Sequence, residues 1–267
     1  MSKISVAGTL REAIGLTMAH RRDLLRVGLV FIIGFFALGV VFLLYLQPML
    51  LQAMEAAASG GPQQPVDPRL FSAIIILLVI EILLISVFGV GWHRAVLIGA
   101  ERGQGAQLGK RELLYFGRVW FCVALCIAVF FFIAFAEAFI GLMLRASPQS
   151  LIMGAEFAYL IVFIYVFGRL GPSFAALSVD SSLSFHGSWV ATKGNGIRIL
   201  LLLVLTAAGG LLLNIAVGVL LGLLGLGESA PYTVLLLSTF IFCVLIAVTV
   251  TINAIVFRRL TGWKPPT

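Results

Sequence analysis

Long apolar runs alternate with short polar stretches along this chain, and most of those stretches are basic. A helix needs about 20 apolar residues to cross the hydrocarbon of a bilayer. Six segments are read as such spans: 27–46, 71–92, 119–142, 155–170, 199–224 and 232–257. The fourth contains Arg169 and runs into Gly171-Pro172, a pair expected to end or kink it. The fifth is the plainest, since no charge falls between Leu200 and Gly227. The fold expected is all-α: a polytopic transmembrane bundle of six helices in one integral membrane domain, 1–267.

Composition supports that class. The 267 residues are 61% hydrophobic and 11% charged, against about 25% charged in an average soluble domain. Too few charges are present to cover a soluble surface. A soluble enzyme, a nucleic-acid-binding domain and a disordered chain are thereby excluded, although the net charge is +7. Placement explains that charge. Fifteen of the 18 Lys and Arg lie before span 1, between spans 2 and 3, between spans 4 and 5, or after span 6. The opposite loops hold only Arg69 and Arg145. The positive-inside rule then puts both termini in the cytoplasm. Span 1 is expected to be a retained helix: 26 residues precede it, its apolar run is too long for a signal peptide, and Ala56-Ala57-Ala58 is the only cleavage-like feature. The segment 47–70, with Gly60-Gly61-Pro62, Pro65 and Pro68, reads as a surface loop, and no room is left for a soluble catalytic domain.

Each odd-numbered span follows a stretch patterned as an interfacial elbow helix on the cytoplasmic side. In 5–22, Leu10, Ile14 and Met18 recur every four residues while Arg11, Glu12, Arg21 and Arg22 point elsewhere. The second is 108–118, with Leu113, Leu114, Tyr115 and Phe116 among basic residues, and the third is 178–193, with Phe185 and Trp189. The plan is an elbow plus a hairpin three times over, in units of roughly 5–98, 108–177 and 178–260. Thr17 and Thr192 match when the first and third elbows are aligned, and little else does.

Two stretches carry a likeness to a known group. One is Gly91-Trp92-His93-Arg94-Ala95-Val96-Leu97, with Gly109-Lys110-Arg111-Glu112-Leu113-Leu114-Tyr115-Phe116-Gly117-Arg118 after it. The other runs Tyr165, Arg169-Leu170, Pro172, Ser188-Trp189, Thr192-Lys193-Gly194-Asn195 and Arg198. Together they resemble bacterial six-helix inner-membrane proteins of the YciC-like and glycerophosphoryl diester phosphodiesterase membrane-domain group. The resemblance implies an integral protein of the bacterial inner membrane. It carries over no catalytic residue, and the phosphodiesterase domain fused to some members has no counterpart here. Local chemistry gives the second string a structural reading. Gly194 ends an elbow helix and Asn195 caps the next by accepting backbone N–H bonds. Trp189 suits the headgroup level, and Lys193 and Arg198 the inner interface.

Charged side chains singled out within spans are Glu81 mid-way in span 2, Glu137 in the outer third of span 3 and Arg169 in the inner third of span 4. A charge in hydrocarbon costs at least a few kcal/mol (roughly 3 on insertion scales). Glu81 is therefore expected to face protein, either protonated or paired. Arg169 is its candidate partner, with snorkelling to the cytoplasm or a contact with Asp180 as alternatives for the arginine. Span 5 carries a stripe every fourth residue: Thr206, Gly210, Asn214, Gly218 and Gly222. Small residues at that spacing bring helices close, so the stripe is read as helix packing, with another span or another protomer as partner.

Nothing in the chain assembles catalytic chemistry. There is no His-Glu-x-x-His, no Gly-x-Ser-x-Gly and no phosphate-cradling loop. His20, His93 and His186 have no metal-ligand spacing, and Cys122, Cys126 and Cys243 lie in apolar segments as packing residues. No metal and no cofactor is expected. The expected role is that of a non-catalytic membrane protein acting through protein or lipid contacts, its basic elbows on anionic headgroups. The alternative is a small transporter or channel using Glu81 and Arg169 in a polar path.

Overall fold

A computed structural model describes residues 3–58, 68–99, 108–144, 148–226 and 230–265. Among them there is no strand. The elements are α1 (Val6–Ala19), α2 (Arg21–Val41), a π-helical turn (Phe42–Leu46), α3 (Gln47–Ala58), α4 (Pro68–Ile98), α5 (Lys110–Leu144), α6 (Pro148–Ser178), α7 (Phe185–Ala191), α8 (Gly196–Leu223) and α9 (Pro231–Thr261). Six helices are long and apolar enough to cross a membrane, so the chain belongs to the polytopic membrane class.

Several boundaries differ from those the sequence suggests, each for a local reason. The segment 47–58 is helical rather than loop. Pro48 has no N–H for the carbonyl four residues back, and just ahead of it the helix widens into the π turn, where Gln47 N–H donates to the Phe42 carbonyl. Stretch 108–118 forms no separate elbow, because no turn residue breaks the helix at Arg118 and α5 runs on from Lys110. The third elbow is only α7. Ser178 ends α6, and the turn beyond it is a Schellman closure with Asp180 at φ 57°. There Ser181 N–H donates to the Ala176 carbonyl and Asp180 N–H to that of Leu177. Helix α6 also continues through Gly171-Pro172 rather than ending there. The Ser188 and Ser173 hydroxyls donate to the nearby Arg169 and Leu170 carbonyls.

The six spans close a ring. α2 packs on α4, α4 on α5, α5 on α6, α6 on α8, α8 on α9, and α9 back on α2. The even-numbered spans, α4, α6 and α9, also pack on one another and form the centre. In their most apolar stretches 28%, 50% and 44% of residues are buried, against 17%, 17% and 22% in the odd-numbered spans. Small and polar residues make that close approach possible. Ser86, Gly89 and Gly91 supply them on α4, Gly171, Ser173, Ala175 and Ala176 on α6, and Ala247, Thr251 and Ala254 on α9, all buried. Large side chains fill what remains, with Phe31, Phe88, Trp92 and Phe257 almost wholly enclosed.

Candidate functional site

The polar side chains named from the sequence fall into two places. One is the end of the bundle where α1 and α7 lie, called here the basic end. The other is mid-span.

At the basic end, Arg169 is 8% exposed on α6. Its Nε donates to Thr192 Oγ1 at 3.0 Å, one terminal nitrogen to the Trp189 carbonyl and the other to the Tyr165 hydroxyl at 3.4 Å. The guanidinium also lies 3.7 Å from the Trp189 ring centroid, a cation–π contact. Arg169 therefore pairs with neither Glu81 nor Asp180, the two carboxylates considered from the sequence. Two of its donors go to the end of α7, at Trp189 and Thr192, and Ser188 joins the same two helices through the Arg169 carbonyl at 2.7 Å. Asp180 instead takes a bidentate bond from Arg111, at 2.8 and 2.6 Å. That guanidinium holds the Asp180 carboxyl below its usual range.

The turn after α7 does more than cap. Gly194 sits at φ +79°, where a side chain would strain the backbone, and both it and Lys193 are exposed. Asn195 precedes α8 but makes no side-chain cap bond to it. Its Oδ1 accepts the N–H of Ile4 at 2.9 Å, and Arg198 donates to the Ile4 carbonyl at 3.1 Å. Both backbone groups of one N-terminal residue are thus held by the start of α8. The expected cap is corrected to a long-range clamp, a pairing that spans 191 residues and left no mark in local sequence.

Helix α1 joins the same network by a face the sequence pattern did not pick out. Thr9, Ala13 and Thr17 are buried, whereas Ile14 and Met18 are exposed. Thr17 Oγ1 lies 3.3 Å from Thr251 Oγ1 on α9, which in turn accepts from Trp92 Nε1 of α4 at 3.0 Å. Arg259 donates to Thr9 at 2.8 Å and forms an ion pair with Glu12. A small residue every fourth position was the available signal. His20 and His93 each donate through Nδ1 to a carbonyl of the preceding turn. His93 Nε2 and Asn253 Oδ1 are buried without a hydrogen-bond partner. Cys122, Cys126 and Cys243 are buried free thiols.

Mid-span, Glu81 borders a cavity of about 380 Å³ between α2, the π turn, α4 and α9. Its walls are apolar apart from Glu81 and Thr239, and Arg169 is not among them. The described residues bring Glu81 and Arg169 into no contact. Glu81 has no hydrogen bond or ion pair among the described residues. Glu137 lies on α5, its side chain outside the described residues.

The span 5 stripe divides. Thr206 and Gly210 are buried, and a Cβ on Gly210 would stand 2.2 Å from Leu245 of α9. Asn214 turns its amide to the Gly210 carbonyl of its own helix at 3.1 Å. Gly218 and Gly222 meet nothing within 4 Å among the described residues.

No family model, curated protein sequence or solved structure matches this chain.

Proposed function

We propose that this is a non-catalytic multi-pass protein of a bacterial inner membrane, with its basic end and both termini in the cytoplasm, working through lipid and protein contacts. It stands with the YciC-like group on the strength of the two motifs alone. The observation that carries the reading is how the basic end spends its cations. Arg169, Arg198 and Arg259 are bonded inward, while Lys3, Arg11, Arg21, Arg22, Arg26, Lys110, Lys193 and Arg258 are exposed around the same end. Beside them Ile14, Met18 and Val190 are exposed apolar side chains on α1 and α7. Apolar and basic groups side by side suit the boundary between acyl chains and anionic headgroups, where each basic residue is worth about 1 kcal/mol.

Reconstitution tests this. The chain is placed in discs of phosphatidylglycerol or phosphatidylcholine and its melting followed. Melting should be higher in the anionic lipid, and the gain should shrink when Arg21, Arg22 and Arg26 are changed to Gln. Equal melting in both lipids overturns the lipid contact. For orientation, a cysteine placed at Gln63 should react with an impermeant reagent from outside the cell; labelling only from the cytoplasmic side overturns it.

A further inference from the structure

The cavity at Glu81 has the chemistry of a binding site. It sits deep in the membrane, since Glu81 is roughly 20 Å of helix from Pro68 at 1.5 Å per residue. Its volume, about 380 Å³, falls in the range of pockets that hold small organic molecules. Phe42 and Ile74 line it and are themselves 42% and 41% exposed, so the cavity is open to the surroundings of the bundle. The π turn forms one wall through Phe42 and Leu46, and such turns recur at functional sites.

The lining narrows what fits. A metal ion asks for several oxygen ligands, and here one carboxyl and one hydroxyl are present. An acyl chain alone would leave an acid facing hydrocarbon with nothing to offset its cost. A cation carried on an apolar body answers both demands. Its charge meets the carboxylate, and its body meets the leucines and the aromatic side chains of Phe35 and Phe42. We propose that this cavity binds a lipophilic organic cation, with the positive centre on Glu81 and the apolar body against Phe35, Phe42 and Leu235.

The test uses the purified full chain in a neutral detergent, so its outcome does not depend on orientation or on anionic lipid. Radiolabelled tetraphenylphosphonium is the probe, measured by equilibrium dialysis. Saturable binding at one site per chain is expected. Glu81→Gln should weaken it at least tenfold, Glu81→Asp less, and Leu38→Trp should abolish it by filling the cavity while leaving the carboxyl in place. Neutral tetraphenylmethane should not compete. The proposal is overturned if wild-type chain retains no more probe than detergent alone, or if Glu81→Gln binds as tightly. Equal competition by tetraphenylmethane overturns it too, since the charge would then be irrelevant. Melting and size profiles check that each variant folds. Should Glu81→Gln fail that check, unchanged affinity in both Glu81→Asp and Leu38→Trp overturns the proposal.

Discussion

The two halves of this bundle are built on different rules. Toward the basic end, α9 is buried almost continuously from Ala247 to Phe257, and α4 from Phe88 to His93. Polar side chains there are spent on other elements: Arg169 on α7, Asn195 and Arg198 on Ile4, Trp92 on α9. In the other half the same two helices are far less enclosed: no residue of α4 from Phe71 to Glu81 is buried, and none of α9 from Pro231 to Ser238. A cavity opens there, and the one carboxyl lining it has no partner among the described residues. Lipid is as apolar as leucine, so apolar burial does little to hold spans together. Small-residue contact and hydrogen bonding must do so instead, and both are concentrated at the basic end. The half without them is free to leave space for something else.

The strongest way to break this contrast is to compare Arg169 with Glu81. Arg169→Met removes three hydrogen bonds and a stacked cation, leaving Thr192 to bond only the Ser188 and Trp189 carbonyls. Bonds to a charged group are worth about 1.5–3 kcal/mol each where buried, so a loss on the order of 3 kcal/mol is expected, read as a lower melting temperature in detergent. Arg169→Lys should recover little of it, because one ammonium cannot both fork to α7 and lie flat on the indole. Glu81→Gln should leave melting nearly unchanged, since no bond of Glu81 to the described residues is lost. Equal losses for Arg169→Met and Glu81→Gln would show that the two halves are held alike.

The second comparison runs along one helix. Gly210→Leu must displace the Leu245 side chain of α9, because even a Cβ at that position stands 2.2 Å from it. A loss of about 1–3 kcal/mol, the usual cost of overpacking, is expected in melting. Gly218→Leu adds its side chain to open space and should change melting little; it also exchanges Gly for a better helix former. If Gly218→Leu is the more damaging of the two, the outer half of the stripe meets a partner, and native-size measurement of the same samples would reveal it as a second copy.

What could be read from the sequence, and what could not, divides along the same physics. The six spans are visible because length and hydropathy are local. Which spans lie inside is not visible in periodicity, because all six are apolar on every side. It is written instead in small and polar residues such as Gly89, Gly171, Ala247 and Thr251, whose meaning depends on a neighbour far away in sequence. The turn at Asn195 shows the limit most plainly. Its residues were singled out, and a cap is the right local reading of Asn before a helix. The group it bonds belongs to Ile4, at the other end of the chain. Arg169 was likewise singled out, but its partners are a carbonyl and a hydroxyl of α7, which no charge pattern announces. The four-residue spacing of the span 5 stripe is real along its whole length, yet only Thr206 and Gly210 lie at the depth where α9 comes close.

The smallest effect expected comes from the Arg111–Asp180 pair, which tests whether every polar contact at the basic end matters equally. Both side chains are well exposed, at 37% and 61%, so the pair contributes at most about 1 kcal/mol. The Arg111 guanidinium keeps the folded-state carboxyl below the usual value of 3.8. A carboxyl depressed on folding adds stability that is fully present above its unfolded value and fades as pH falls through the folded one. Melting of the wild type should therefore lose this contribution only below about pH 4, and high salt should erase it at neutral pH. Asp180→Asn tolerates the left-handed backbone nearly as well while removing the charge. It should melt slightly below the wild type at pH 7 and converge with it at pH 3. A gap as large as that of Arg169→Met, or one that persists unchanged at pH 3, would mean that the Asp180 turn is held by something other than this exposed pair.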